Sequence, residues 1–325
     1  MTLGSLLLIA FAAARLGAQQ PATPVVNHSA NVSLGAEQPA SHGEAKNADI
    51  IMPHITDSHH IEIPWFNASW HKVIDLPHWA PVQVGPLAVD LSPTKHVVMM
   101  LFAATLCALI LIGAARAHVR HSHARGYPKG FSTGVEATVL FIRDEVIKKN
   151  VGHRGDGFVP YLLTVFFFIL FANILGLIPY GSTATGNISV TATLAIMSFI
   201  AIEVAGMRAL GSGYWGTIFY WPKDEPFGLM KVALFLILTP VELLGKFTKP
   251  FALAIRLFAN MTAGHVIVLA FIGIIFTFGS WYIAPAPLAM AIGIMLLEVL
   301  VAFIQAYIFT LLTSVFIGQI REAHH

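Results

Sequence analysis

The feature that most limits what this chain can fold into is the length of its apolar runs. No charged residue stands between Lys95–His96 and Arg116, which bound a first run, His96–Ala115. Comparable runs follow at Phe158–Tyr180, Ile188–Met207, Leu229–Phe278 and Leu288–Ile320. A helix needs about 20 such residues to cross the hydrocarbon of a bilayer. There each backbone N–H and C=O must find its partner within the segment, so separated runs of this length read as helices. Composition agrees, with 56% hydrophobic and 11% charged residues against roughly 25% charged in a soluble domain. The expected fold is all-α and polytopic, with about five transmembrane helices.

Leu229–Phe278 is too long for one perpendicular span. It reads as an approach segment up to Leu244, then Gly245, Lys246, Lys249 and Pro250, then a strongly tilted fourth span. The fifth run is also longer than needed, so the chain ends in a long tilted helical hairpin. Its turn is GSWYIAPAP (Gly279–Pro287), with Trp281 and Tyr282 at interface depth and two prolines expected to break helix.

The remaining segments fix organisation. Residues 1–18 have the apolar run and small residues of a secretory signal without a positive charge in front, so cleaved and retained forms both stand open. Residues 19–95 are polar and expected outside the cell membrane, and residues 96–325 form the membrane domain. Eight of the 19 positive residues, Arg116, Arg120, Arg125, Lys129, Arg143, Lys148, Lys149 and Arg154, lie between the first two runs. The positive-inside rule makes that loop cytoplasmic, the N-terminus external and the C-terminal REAHH internal. Within the loop, VEATVLFIRDEVIKKN (135–150) sets Val135, Val139, Ile142 and Val146 against Arg143, Asp144 and Lys148, an interfacial amphipathic helix. A net charge of +2 gives no basic footprint for nucleic acid. The single Cys107 excludes an intrachain disulfide framework and a multi-Cys zinc site. His59–His60 and His118, His121 and His123 show no recognised metal-ligand spacing.

Arg256 stands in the middle of this apolar chemistry. A charge at the bilayer centre costs roughly 3 kcal/mol on insertion scales and more than about 10 in simulations of isolated helices. An Arg reaching a headgroup, or paired with a carboxylate of its own chain, is the ordinary reading. Reaching outward is disfavoured by more than 20 residues to the turn, and Lys246 and Lys249 already occupy the inner interface. Arg cannot carry a proton, because it does not deprotonate in proteins. It can attract an anion and exclude a cation. At 4 Å and an effective dielectric near 20, a carboxylate gains about 4 kcal/mol, enough to lower its pKa by roughly three units.

The neighbours fit such a site. Asn260 is one turn on, and Ala263 and Gly264 extend that face with small side chains that let a helix approach, or that simply pack helices. His265 lies about 13 Å outward along the axis; its ordinary reading is a core histidine. The antiparallel last run brings Gln305 within a turn or two of the Arg256 depth, with Glu298 about 10 Å further out, near His265. Glu242 is about 21 Å inward of Arg256, where it either pairs with Lys246 at i+4 or reaches in from the inner side. Glu203 sits near one end of the third run. Titratable groups thus reach in from both sides, and a permanent cation separates them. A proton crosses only if something else carries it past Arg256.

At these residues the sequence resembles the subunit a family of rotary F-type ATP synthases. The likeness rests on KPFALAIRLFANMTAGH (249–265) and IQAYIFTLLTSVFIG (304–318), supported by FANILGLIP (171–179), NISVTATLA (187–195) and PVELLGK (240–246). It spans roughly residues 95–322, with a general likeness in SHHIEIPW (58–65). The resemblance implies a multi-pass protein of a bacterial inner (plasma) membrane, a stator beside a ring of c subunits, with a b-subunit stalk and the other ATP synthase subunits as partners. Each ring carboxylate is deprotonated beside the arginine, here Arg256, and reprotonated from a half-channel. The family's Asn and Gln match Asn260 and Gln305. Some relatives carry an acid after the Ala-Gly and a His in the last helix. Here the order is exchanged as His265 and Glu298, which leaves open which of them passes the proton.

No internal repeat supports an ion-coupled transporter, which, with a membrane-arm subunit of a redox pump, is the competing reading. An intramembrane hydrolase is the third. The chain has no HExxH, GxSxG or P-loop, so neither a cofactor nor ATP is expected on it, and it is not expected to be an enzyme on its own.

Overall fold

A computed structural model describes residues 57–58, 60–64, 71–79, 82–84, 87–89, 92–125, 130–152, 155–177, 183–219, 228–278 and 282–322. The candidate signal at 1–18 and most of the polar region 19–95 lie outside these residues, as do His59, Trp281 and residues 323–325. Within the polar region, β1 (His60–Pro64) pairs antiparallel with β2 (His71–Asp75), and β3 (Val82–Val84) with β4 (Leu87–Val89). Among the described residues these two small hairpins are the exception to an all-α fold.

Among the described residues the α-helices are α1 (Lys95–Arg125), α2 (Phe131–Leu140), α3 (Lys149–Val151), α4 (Val159–Gly176), α5 (Ile188–Leu210), α6 (Leu229–Phe278) and α7 (Pro285–Glu322). Among the described residues five stretches are long and apolar enough to cross a membrane: Lys95–Val119, Asp156–Gly176, Ile188–Thr217, Lys231–Ile275 and Pro285–Glu322. They fall where the five apolar runs do. Local chemistry sets their ends. Asn187 caps α5 by accepting from the Ser189 N–H at 2.9 Å, and Gly211, at φ 55°, ends it.

One expectation about proline is corrected. Pro285 opens α7 and Pro287 lies in its first turn, where the N–H groups have no intrahelical acceptor in any case. These prolines start a helix instead of breaking one. Pro240 and Pro250 lie inside α6 without ending it, so the approach segment and the fourth span are one helix of 50 residues. At 1.5 Å per residue such a helix is about 75 Å long, more than twice the hydrocarbon thickness of about 30 Å. Much of it has to run obliquely or project beyond the bilayer.

Burial places the core along α4, where Leu162, Phe166 and Ile169 are fully buried. α1 lies against one side of α4 and α7 against another, while α5 contacts both α6 and α7. The amphipathic segment expected over 135–150 buries one face and leaves Phe141, Asp144, Glu145 and Lys149 exposed on the other. It runs through α2, a π-helical stretch Phe141–Lys148 and α3, and buries Ile142, Val146, Ile147 and Val151 against the protein. The i→i+5 bonding of a π-helix brings Ile142 and Ile147 onto one line. Gly318 of α7 permits this contact, because a Cβ there would strike the Asn150 carbonyl. Arg321 then donates to the Val151 carbonyl at 2.8 Å. The buried hydroxyls of Thr310, Thr313 and Ser314 donate to carbonyls of α7 itself, at 2.9, 2.8 and 2.7 Å, so α7 keeps small polar side chains without unpaired groups.

Candidate functional site

The two faces of α6 differ sharply around Arg256. Leu253, Ala254, Leu257 and Met261 are buried against the rest of the chain. Ile255, Arg256, Ala259, Asn260 and Ala263 are exposed. In Lys231–Ile275 only 6% of the most apolar stretch is buried within the chain, against 50% in Asp156–Gly176. Arg256 and Asn260, one turn apart, thus share an uncovered face flanked by alanines. Among the described residues no carboxylate forms a salt bridge with Arg256. The reading in which it pairs within its own chain finds no partner there.

Gly264 fixes how α6 meets α7. A Cβ at Gly264 would run into the carboxylate and Cγ of Glu298, so the absent side chain makes room for that acid. The small residue thus serves a contact inside this chain, while Ala263 keeps the outward face. Glu298 is 9% exposed, and its Oε1 has no hydrogen-bond partner among the described residues. His265, half-buried, is the next residue on α6. Running both antiparallel helices inward from this contact sets Arg256 level with Ala306, the neighbour of Gln305. Gln305 is 7% exposed, between fully buried Ala302 and Ala306.

Two features were not singled out from sequence. Asn173 of α4 is fully buried; it accepts from Thr185 at 2.6 Å and donates to the Ala302 carbonyl at 3.4 Å, between the levels of Glu298 and Gln305. The available signal was an Asn inside the apolar FANILGLIP. The second is a pair at the opposite end of α5 and α6, where Lys246 lies 3.3 Å from Glu203. The i+4 pairing of Glu242 with Lys246 is therefore replaced by a contact across helices. Glu242 is exposed and borders a cavity with Glu203 and Lys249. His118 Nδ1, in the second histidine cluster, lies 3.1 Å from Glu136 of α2.

At the start of α1, Asp57 joins three segments. Its Oδ1 lies 2.8 Å from His96 Nδ1 at the start of α1, its Oδ2 accepts from the α5 cap Asn187 at 3.5 Å, and the Lys95 N–H donates to the Ser58 carbonyl at 3.0 Å. Burial raises the Asp57 carboxyl, but the hydrogen bond and charge of His96, joined by hydrogen bonds from Thr94 and the Ser58 backbone, together hold it below the usual value of 3.8.

The sequence has relatives among known proteins. The family model described as ATP synthase A chain matches residues 97–318. ATP synthase subunit a of Anaeromyxobacter sp. (strain Fw109-5) is 39% identical, over 100% of this chain and 90% of its own. The subunit a of Chloroherpeton thalassium is 45% identical over 82% of this chain and 74% of its own, and that of Pelodictyon phaeoclathratiforme 42% over 97% and 88%. The matched region takes in all or nearly all of each of the five membrane-length helical stretches among the described residues, and every residue of the α6–α7 site. The chain belongs to the ATP synthase A chain family.

Proposed function

We propose that this chain is the stationary, proton-translocating subunit of an ATP synthase membrane sector, with Arg256 as the counter-ion and barrier for carboxylates carried on a neighbouring c-subunit ring. The observation that carries this reading is the placement of Arg256 on the uncovered face of a membrane helix. An arginine so placed would meet hydrocarbon unless another chain covers it and supplies a negative charge. Ala259 and Ala263 keep that face low enough for a second helix to come close, and Asn260 offers a polar contact one turn away.

Proton movement follows from the levels on the two helices. From the external side a proton reaches the Glu298–His265 level, where the buried carboxyl sits against Gly264, and passes to a ring carboxylate. Asn173 and Thr185 line the same half of the molecule. The ring carries the neutral group round through lipid. On return, the carboxyl meets the Arg256 level with Gln305 behind it and gives up its proton. Glu242, at the opposite end of α6, takes protons to and from the inner side. Arg256 holds no exchangeable proton and repels any cation that attempts the direct route, so flow without rotation is blocked. ATP chemistry takes place elsewhere in the complex; this chain contributes coupling. A b-subunit stalk anchors it against the torque. The N-terminal region lies outside and the C-terminus inside, in a bacterial plasma membrane.

The test compares the purified chain in vesicles with and without the ring. Proton conduction that requires the ring is the expected result. Conduction or solute transport by the chain alone would establish it as a self-sufficient transporter.

A further inference from the structure

Two lysines stand close to Glu242 on α6. Lys246 is one turn on, along the same face, and its ordinary partner by spacing would be Glu242. The structure gives it another. Lys246 Nζ lies 3.3 Å from Glu203 Oε2 on α5, 3.1 Å from Thr217 Oγ1, and 4.7 Å from the centre of the Tyr214 ring. The Tyr214 hydroxyl donates to the same Glu203 oxygen. The Glu203 and Lys246 side chains are 13% and 10% exposed, so the pair is enclosed. Lys249 is turned away as well, with its Nζ 4.7 Å from the centre of the Phe316 ring on α7. Glu242, by contrast, is exposed and opens on a cavity of about 220 Å³. The charged groups bordering this cavity are Glu203 from α5 and Glu242, Lys246 and Lys249 from α6; α7 brings the uncharged Gln319.

A group that relays protons works best when both of its protonation states are populated at the operating pH. An ammonium at ion-pair distance favours the ionised state and slows reprotonation. We infer that Glu203 is a positioning residue for the inner proton path: by holding Lys246 against Tyr214 and Thr217, it keeps that ammonium off Glu242 and leaves the carboxyl to exchange protons with the cavity. The inference rests on the reading of Glu242 as the inner relay. No covalent step is involved, and Glu203 itself touches neither the ring nor the moving proton.

The experiment is ATP-driven acidification of inverted vesicles carrying the whole complex, measured across a range of pH. In Glu203→Gln, Lys246 is released to Glu242 and holds it ionised. Proton uptake from the inner side then fails at a lower pH, and the alkaline limb of the profile moves acidward by about one unit, a loss of about tenfold on that limb. Adding Lys246→Met to Glu203→Gln removes the released ammonium and restores the original profile. An unmoved profile in Glu203→Gln overturns the proposal, and so does a double variant that keeps the shift. Should Glu203→Gln not assemble, Glu203→Asp is measured instead, since it keeps the charge but withdraws it by one methylene. A smaller shift in the same direction supports the role, and no shift overturns it. Glu242→Gln separates the two levels of the argument. If it pumps normally, the inner relay assignment fails and the positioning role with it. If it is impaired while Glu203→Gln keeps the original profile, the positioning role alone falls.

Discussion

At the scale of single residues, the role proposed for Arg256 rests on its position more than on its chemistry. It lies on the exposed side of α6 with Asn260, while Leu257 and Met261, its close neighbours in sequence, face inward. Replacing it by alanine removes about 4 kcal/mol of attraction for a carboxylate at contact distance, so ATP synthesis by Arg256→Ala complexes falls by on the order of 10³-fold. Passive proton leak should persist or rise, because the proposed barrier is gone. Vesicle synthesis assays with a pH-dye leak measurement check both halves; synthesis retained by the variant would remove Arg256 from the mechanism. His265 and Glu298 are expected to act as one unit. Exchanging them together should preserve at least about tenfold more activity than the two single changes predict when combined, a coupling of about 1.4 kcal/mol. A double exchange no better than the combined singles would separate them.

At the scale of elements, Gly318 and the π-helical stretch give a sharper test than the long helices do. Gly318→Ala places a methyl group against the Asn150 carbonyl, a backbone atom that cannot move aside without shifting α3. The expected cost is about 1–3 kcal/mol, seen as faster tryptic cleavage after Lys148 and Lys149 in the folded complex; unchanged cleavage would mean that the approach of α3 to α7 is loose. How much of this was legible beforehand depends on the range of the signal. The five spans are legible because an apolar run of bilayer length needs no knowledge of its neighbours. The hairpin register is nearly legible too, since a turn at residues 279–287 sets which levels of α6 and α7 meet. The π-helical stretch is not, because VEATVLFIRDEVIKKN also fits an ordinary amphipathic helix, and its buried face depends on Gly318 far along the chain. The Glu203–Lys246 pair is hidden for a similar reason. Lys246 has an acid at i−4, so local spacing favours Glu242, and only the contact of α5 with α6 reverses that choice. For the prolines at 285 and 287, the turn signal was read correctly, but its side was not: they mark the start of the next helix.

At the scale of the whole molecule, the polar N-terminal region is tied to the membrane helices by Asp57. Because this carboxyl binds its proton less tightly in the folded chain than in the unfolded one, its contribution is complete at neutral pH. It is lost as pH falls below the usual value of 3.8 and through the lowered folded value. Asp57→Asn should therefore speed hydrogen exchange at the Lys95 amide several-fold at neutral pH and erase most of the difference from the unsubstituted chain in acid. Equal exchange at neutral pH would show that the backbone contact of Ser58 suffices. The molecule is otherwise lopsided: α4 and α5 carry its enclosed core, while α6 leaves most of its apolar length to its surroundings. That asymmetry bears on how copies are counted in the cell. On the proposed mechanism, a subunit made in excess, with no ring beside it, would show the bilayer a bare guanidinium that an assembled copy would conceal. Surplus copies would then differ chemically from incorporated ones at that one side chain, which would give membrane proteolysis a feature by which to tell them apart.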